Sequence, residues 1–267
     1  MTSVNENQST DAQVLSASGI PVAPAPWDLK ARSWIFVLSP LSKQANFPAG
    51  WAVPYQADSL AGGGEFIGGP GMIMVVSYTE TPVGPYDEVI YVPGRWKYAD
   101  GTTGTRITRI YVSTAASTEN GRRNWNIPKQ VASFSFTEDP TTAVWSLAVS
   151  PLDAPSAPFF KVSVGRIPLL SSFRIPFSSK ILGNLTTLVQ PSLPQGSSPE
   201  EVGTEKWAVL TPFMKQKLRL TKVKGEFDDG KVGDGIGFPA VVPWGLAYQM
   251  EDVVLDFVVP EWRDELK

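Results

Sequence analysis

The sequence predicts a mainly β protein, a β-rich α+β fold in which one domain of curved antiparallel sheets forms a barrel or a pair of curved sheets, with few short helices. Three observations carry this. Glycine and proline supply 47 of the 267 residues, 23 and 24 respectively, a share of about 18% where about 12% is usual, and such punctuation favours many short strands over long helices. Between the turn signals, short segments alternate apolar and polar residues at the period of two that turns one side of a strand toward a core. Helical periodicity is weak and confined to two stretches.

Taken in order, residues 1–25 are rich in Ser, Asn, Gln, Ala and Pro and have too little apolar content for a core. They are expected to be a disordered or loosely tethered arm, leaving the domain to span 26–267. Patterning begins with the apolar run 34–38, closed by Ser39 and Pro40. Strands are then expected over 72–78, 88–92, 106–112, 131–136, 144–149, 159–164, 207–210, 217–223 and 253–259. Phe160, Val162 and Val164 share one face, as do Val253, Leu255, Phe257 and Val259. Val223 falls out of phase with Leu218 and Leu220, which predicts a bulge or strand end near Thr221 or Lys222. The helical stretches are 117–126, with Ser117 as N-cap, and 181–189. Residues 190–203, rich in Pro, Ser and Gly, read as a long surface loop. No internal repeat and no compositional break divides the domain.

Composition removes much of the usual catalytic inventory. There is no cysteine and no histidine, so no Ser-His triad, Cys-His pair, thiolate nucleophile or disulfide can form. A zinc site would have to be built from carboxylates alone. The net charge of −3, from 23 basic and 26 acidic residues, argues against a nucleic-acid binder, and the basic run 215–224 alternates with apolar residues as a strand with a solvated face does. No run approaches the ~18 apolar residues that span a bilayer. The first residues lack a basic and then apolar leader pattern, so a cytoplasmic location is expected. The glycine-rich segment 62–71 lacks the Gly-Lys-Ser/Thr ending of a phosphate loop and runs into an apolar strand, so its glycines serve close backbone approach. Asp228, Asp229 and Asp234 precede or flank glycines as turn residues do, without the spacing of a calcium loop.

Lys, Asp, Glu, Tyr, Ser and Thr remain for covalent or proton-transfer work, and two segments stand out. One is Gly84-Pro85-Tyr86-Asp87-Glu88; the other runs from Gly121 through Arg122, Arg123, Trp125 and Pro128 to Lys129. A lysine attacks a ketone only as the neutral amine, so a catalytic one needs its pKa lowered from about 10.4 by desolvation or a nearby cation. Trp125, four residues before Lys129, is an aromatic wall that would exclude water. In strand phase Lys129 aligns with Val131, Ser133 and Ser135, a less apolar face that either lines a polar cavity or meets solvent. Glu88 shares phase with Ile90 and Val92, so it either points inward or begins its strand in water.

In order and spacing these segments resemble the acetoacetate decarboxylase-like family, in which a Gly-Pro-Tyr-x-Glu segment precedes a Gly-Arg-Glu, a Gly and a Pro-Lys. Here Arg123 stands in place of the motif's glutamate, Asn126 in place of its second glycine, and Gln130 in place of a second lysine. The resemblance covers residues 60–260 loosely, with specific motifs only between Gly84 and Lys129. It implies an acetoacetate decarboxylase-like barrel with Lys129 as Schiff-base nucleophile and Glu88 as the acid or base. Arg122 would hold a substrate carboxylate, Arg123 would supply a missing positive charge, and Tyr86 and Trp125 would line the pocket; no cofactor is implied. The implied activity is a lyase acting on a hydrophobic ketone or β-keto acid in specialised metabolism. The alternative is a cofactor-free cyclase or isomerase that holds a polyketide- or terpenoid-like substrate without an imine, and a third reading is a non-catalytic carrier. The partner implied is a hydrophobic small molecule, with neither nucleic acid nor membrane, and a homo-oligomer is left open.

Overall fold

In the computed structural model, which describes residues 13–43, 46–264 and 266, the alternating segments pair into two sheets. The larger has eleven strands. Ten follow the order Lys129–Val131, Arg109–Val112, Tyr86–Val92, Met72–Glu80, Trp27–Leu38, Pro243–Phe257, Phe213–Gly225, Phe160–Arg166, Trp145–Ser150 and Ser133–Glu138, and Ile175–Ser178 pairs beside Phe213–Gly225. Neighbours are antiparallel except Lys129–Val131, which runs parallel to Arg109–Val112. The two end strands of this order are separated in sequence only by Ala132, so chain continuity brings the sheet round into a nearly closed barrel. Register shifts between Ala31 and Ser33 and between Lys215 and Lys217 add the local bend and twist that such wrapping needs.

Both faces of the large sheet are covered, which explains why several strands read as nearly continuous apolar runs. Along Trp27–Leu38, Trp34, Phe36 and Leu38 join Val149, Phe160 and Val162 in the barrel interior. Trp27, Leu29 and Ala31 turn the other way, toward Ile110, Trp125 and Leu255. A smaller six-stranded sheet, in the order Glu261–Arg263, Trp207–Leu210, Leu188–Gln190, Thr103–Thr105, Arg95–Lys97 and Glu65–Gly68, packs with this second core. Of these strands only 207–210 was expected, because three- and four-residue segments are too short to display alternation. The fully buried Arg106 ties this region down by donating to the carbonyls of Leu60, Gly62 and Gly63 and to the Tyr98 hydroxyl. The glycine-rich segment thus has a structural occupation.

Four expectations need correction. Val223 is buried beside the barrel core while Leu218 packs on the opposite cluster, so no bulge forms at Thr221; a strand with two covered faces simply has no single phase. The stretch 181–189 is a 3-10 segment, Ser179–Thr186, followed by the strand Leu188–Gln190. Helix Ala115–Trp125 starts earlier than expected, because Thr114 is the cap and accepts the Ser117 N–H. It ends at Asn126, whose left-handed φ of 54° and N–H to the Arg122 carbonyl close the last turn before Pro128. Finally, Ser18, Pro21 and Ala23 of the expected arm contact this helix, while residues 1–12 fall outside the described residues. Asn120 accepts the Ala23 N–H at 2.8 Å and donates to the Pro21 carbonyl at 3.0 Å, and Asn124 donates to the Ala23 carbonyl at 2.7 Å. Backbone hydrogen bonding to helix amides, invisible to a hydrophobicity argument, supplies what apolar content does not.

Candidate active site

The hairpin formed by Met72–Glu80 and Tyr86–Val92 turns at Gly84, whose φ of 82° suits glycine. Its register sets Tyr78 opposite Tyr86 and Val76 opposite Glu88, and Glu88 lies opposite Val112 on the next strand. Lys129 then pairs beside Ile110. The outcome is that the two motif segments meet: Lys129 Nζ lies 2.8 Å from Glu88 Oε2, with both side chains 4% exposed. The Tyr78 hydroxyl donates to Glu88 Oε1 at 3.1 Å. Lys129 Nζ also donates to Ser117 Oγ at 2.9 Å and to the Tyr86 hydroxyl at 3.4 Å. All three ammonium protons therefore have acceptors.

Ser117 and Gly121 are one turn apart on the helix and present one face to the lysine. A Cβ at Gly121 would lie 2.6 Å from Lys129 Cδ and 2.8 Å from its Cε, so the lysine stem runs through space that only glycine leaves open. Gly121→Ala is expected to cost about 1–3 kcal/mol by overpacking and to displace the amine from Glu88. Chemical denaturation together with turnover checks this, and an alanine variant of wild-type stability and rate would refute the fit.

Lys129, Glu88, Tyr78 and Tyr86 line a cavity of about 140 Å³ whose other walls include Trp27, Leu29, Met74, Ile90, Trp125 and Phe257. Lys129 is the one cation among the described lining residues. Burial pushes the Lys129 ammonium down, but the Glu88 carboxylate and then Tyr86 outweigh it and hold the amine above its ordinary pKa. Burial and Glu88 push the Tyr78 phenol well up, and burial raises Tyr86 despite the adjacent lysine. Both phenols are therefore proton donors at neutral pH.

This electrostatic balance differs from the expectation of a lysine lowered by Trp125 and Arg123. The aromatic group against the amine is Tyr86, whose ring centroid is 4.9 Å from Nζ. Trp125 lines the same cavity, fixed edge-on between Trp27 and Phe257 and donating its indole N–H to the Val258 carbonyl. The arginines are directed elsewhere. Arg122 is fully buried but donates to the carbonyls of Val202 and Pro194 and to Gln56, so it ties loops together and does not line the cavity. Arg123 pairs with Glu119 one helical turn back. Gln130 donates to Glu201 at 2.8 Å. Local geometry explains this: Arg122 and Arg123 follow Gly121 on the helix and leave the face that Ser117 and Gly121 present to the lysine, and Gln130, next to Lys129 on its strand, points to the opposite side.

Sequence reasoning missed Tyr78, Ser117 and Gly121 in the site. The first was legible, because a tight turn at Gly84 fixes Tyr78 opposite Tyr86. The helical pair was not, since Ser117 had been given a capping role and Gly121 none. No group of three or more acidic side chains among the described residues is arranged to hold a metal. No helix among them is long and apolar enough to cross a membrane.

No protein-family model matches the chain, and no curated protein matches it by sequence. Solved structures do match its fold over nearly the whole length. An acetoacetate decarboxylase from Legionella pneumophila subsp. pneumophila str. Philadelphia 1 superposes with a TM-score of 0.61 at 12% identity, covering 98% of this chain and 94% of that one. The enduracididine biosynthesis enzyme MppR, with HEPES bound, matches with a TM-score of 0.57 at 14% identity over 96% and 97%. An acetoacetate decarboxylase-like enzyme from Sphingomonas wittichii RW1 gives 0.53 at 11% over 92% and 95%. The chain has the acetoacetate decarboxylase-like fold.

Proposed function

We propose that this chain is a divergent member of the acetoacetate decarboxylase-like family and a lyase that processes a hydrophobic carbonyl compound through a Schiff base at Lys129. One observation carries the proposal: a lysine amine and a carboxylate in 2.8 Å contact in the lining of a mainly apolar cavity. When substrate displaces remaining water, the charged pair loses solvation, and transfer of a proton from Nζ to Glu88 Oε2 yields a neutral pair. The free amine adds to the carbonyl carbon. Protonated Glu88 then gives its proton to the departing hydroxyl, water leaves, and an iminium ion remains. Electrons from a bond adjacent to that carbon flow to the iminium nitrogen as the bond breaks, giving an enamine. Reprotonation at carbon and addition of water release the product and the amine.

The lining argues for a neutral reacting end. A substrate carboxylate would meet Glu88 with no second cation to hold it, since Arg122 and Arg123 are engaged elsewhere. We therefore favour aldol-type cleavage or condensation and dehydration over decarboxylation. MppR has been solved with the condensation product of pyruvate and imidazole 4-carboxaldehyde, which supports carbonyl condensation as chemistry open to this fold. Its biosynthetic setting supports assigning this chain to specialised metabolism, and we assign it to the cytoplasm.

The raised pKa of Lys129 favours a second reading, in which the ammonium stays charged and donates a hydrogen bond to a substrate oxygen while the cavity shapes a cyclisation or isomerisation. Borohydride reduction with a panel of apolar ketones and aldehydes separates the two. The Schiff-base reading expects a reduced adduct, found by mass spectrometry on Lys129. A substrate turned over without any trapped adduct would select the second.

A further inference from the structure

A second, polar pocket lies at one end of the barrel interior, on the face of Trp27–Leu38 opposite the Lys129 cavity. Its walls include Arg32, Arg166, Arg219, Thr221, Glu138 and Glu251. Strand alternation sends Arg32 inward beside Trp34, while Ala31 faces the other core. The Arg32 guanidinium carbon lies 4.1 Å from the Trp145 ring centroid and 5.1 Å from that of Trp34. Two indoles thus flank the guanidinium at the pocket wall. Its buried Nε has no hydrogen-bond partner. Glu251 is already shared by Arg174 and Arg219, and burial presses on the Arg32 charge more than Glu138, Asp87 and Glu251 relieve it.

Two further donors there are unsatisfied. Arg219, 8% exposed, keeps its buried Nε without a partner although its terminal nitrogen reaches Glu251, and Thr221, 1% exposed, has a buried hydroxyl with none. Buried donors without acceptors cost about 1–3 kcal/mol each. The lining holds Arg32, Arg166 and Arg219 against Glu138 and Glu251, with Asp87 acting on Arg32 from nearby, and its unsatisfied groups are all donors, so the missing partner is an acceptor, and guanidinium donors favour a charged one.

We propose that this pocket binds a small oxyanion, a carboxylate or a phosphate group, clamped by the Arg32 guanidinium and reached by Arg219 Nε and the Thr221 hydroxyl. Planar guanidinium forks suit the paired oxygens of both groups. The site is separate from the Lys129 cavity and does not depend on the reaction assigned there.

Isothermal titration calorimetry of the full chain at constant ionic strength, with acetate and with inorganic phosphate as probes and chloride as control, tests the proposal. One saturable site is expected for at least one probe, and whichever binds tighter identifies the ligand group. Arg32→Gln should weaken that binding about tenfold or more, since charge-assisted bonds are at stake, and Arg32→Lys should restore part of it. Should Arg32→Gln fail to fold, the exposed Arg166→Gln serves in its place and should weaken binding severalfold. Absence of saturable binding for both anions, or affinity unchanged in the variant that folds, overturns the proposal and leaves the pocket to water.

Discussion

Lys129→Met is expected to abolish turnover and to lower stability by about 3–5 kcal/mol, because it strands a carboxylate in a site where neither partner touches bulk water. The lysine and Glu88 satisfy each other at 2.8 Å with side chains 4% exposed, and the only other bond to the carboxylate among the described residues comes from Tyr78. Glu88→Gln alone should cost a comparable amount by leaving the ammonium uncompensated. The double variant should recover most of that loss, since a glutamine can still accept from Tyr78 and a methionine fills the lysine's channel past Gly121. Urea unfolding of the four proteins measures the coupling. Two small and additive effects would mean that water reaches the pair, and the desolvated chemistry proposed for it would lose its basis.

How much of this was readable in the sequence depended on the length scale of the signal. The long strands declared themselves in part, as the apolar run 34–38 and the alternating stretches 217–223 and 253–259 within or over the ends of Trp27–Leu38, Phe213–Gly225 and Pro243–Phe257, and the Gly/Pro punctuation announced the scarcity of long helices. The three-residue strands of the smaller sheet could not, because three residues show no period, and the Arg106 contacts to the carbonyls of Leu60, Gly62 and Gly63 that tie down this region join residues far apart in sequence. In the site, Lys129 and Glu88 were found from motif spacing, and their contact is what that spacing required. Arg122 was read as a substrate ligand and Arg123 as a source of positive charge for the site because charge near a motif is conspicuous in a string of letters. Direction along a helix decides otherwise, and the residues on the productive face were the inconspicuous Ser117 and Gly121. Thr114 taking the cap freed Ser117 for the amine, a swap of roles within one helical turn that propensity cannot resolve.

Stability is expected to change with pH in opposite senses in the wild type and in Glu88→Gln, and the Lys129 amine to become reactive at lower pH in the variant. In the wild type the folded pKa of Lys129 stands above its ordinary value of 10.5. The contribution of the ion pair is therefore fully present below that value and is lost as pH rises through the folded pKa. Tyr78 and Tyr86, also raised, add loss in the same alkaline range. Below about pH 10, the ordinary range of both residue types, wild-type stability should owe no slope to these groups. Removing the Glu88 charge deletes the largest influence raising the lysine and leaves burial, the strongest single influence on it, to push the amine down. The unfolded chain then binds a proton that the folded chain releases, so the stability of Glu88→Gln should climb with pH between neutrality and about pH 10. The lowered amine pKa should appear in chemistry too: acetic anhydride, which reacts only with neutral amine, should label Lys129 at lower pH in the variant than in the wild type. Identical labelling profiles would mean that Glu88 does not control the amine, and the proton exchange on which the Schiff-base mechanism rests would have to be assigned to another group.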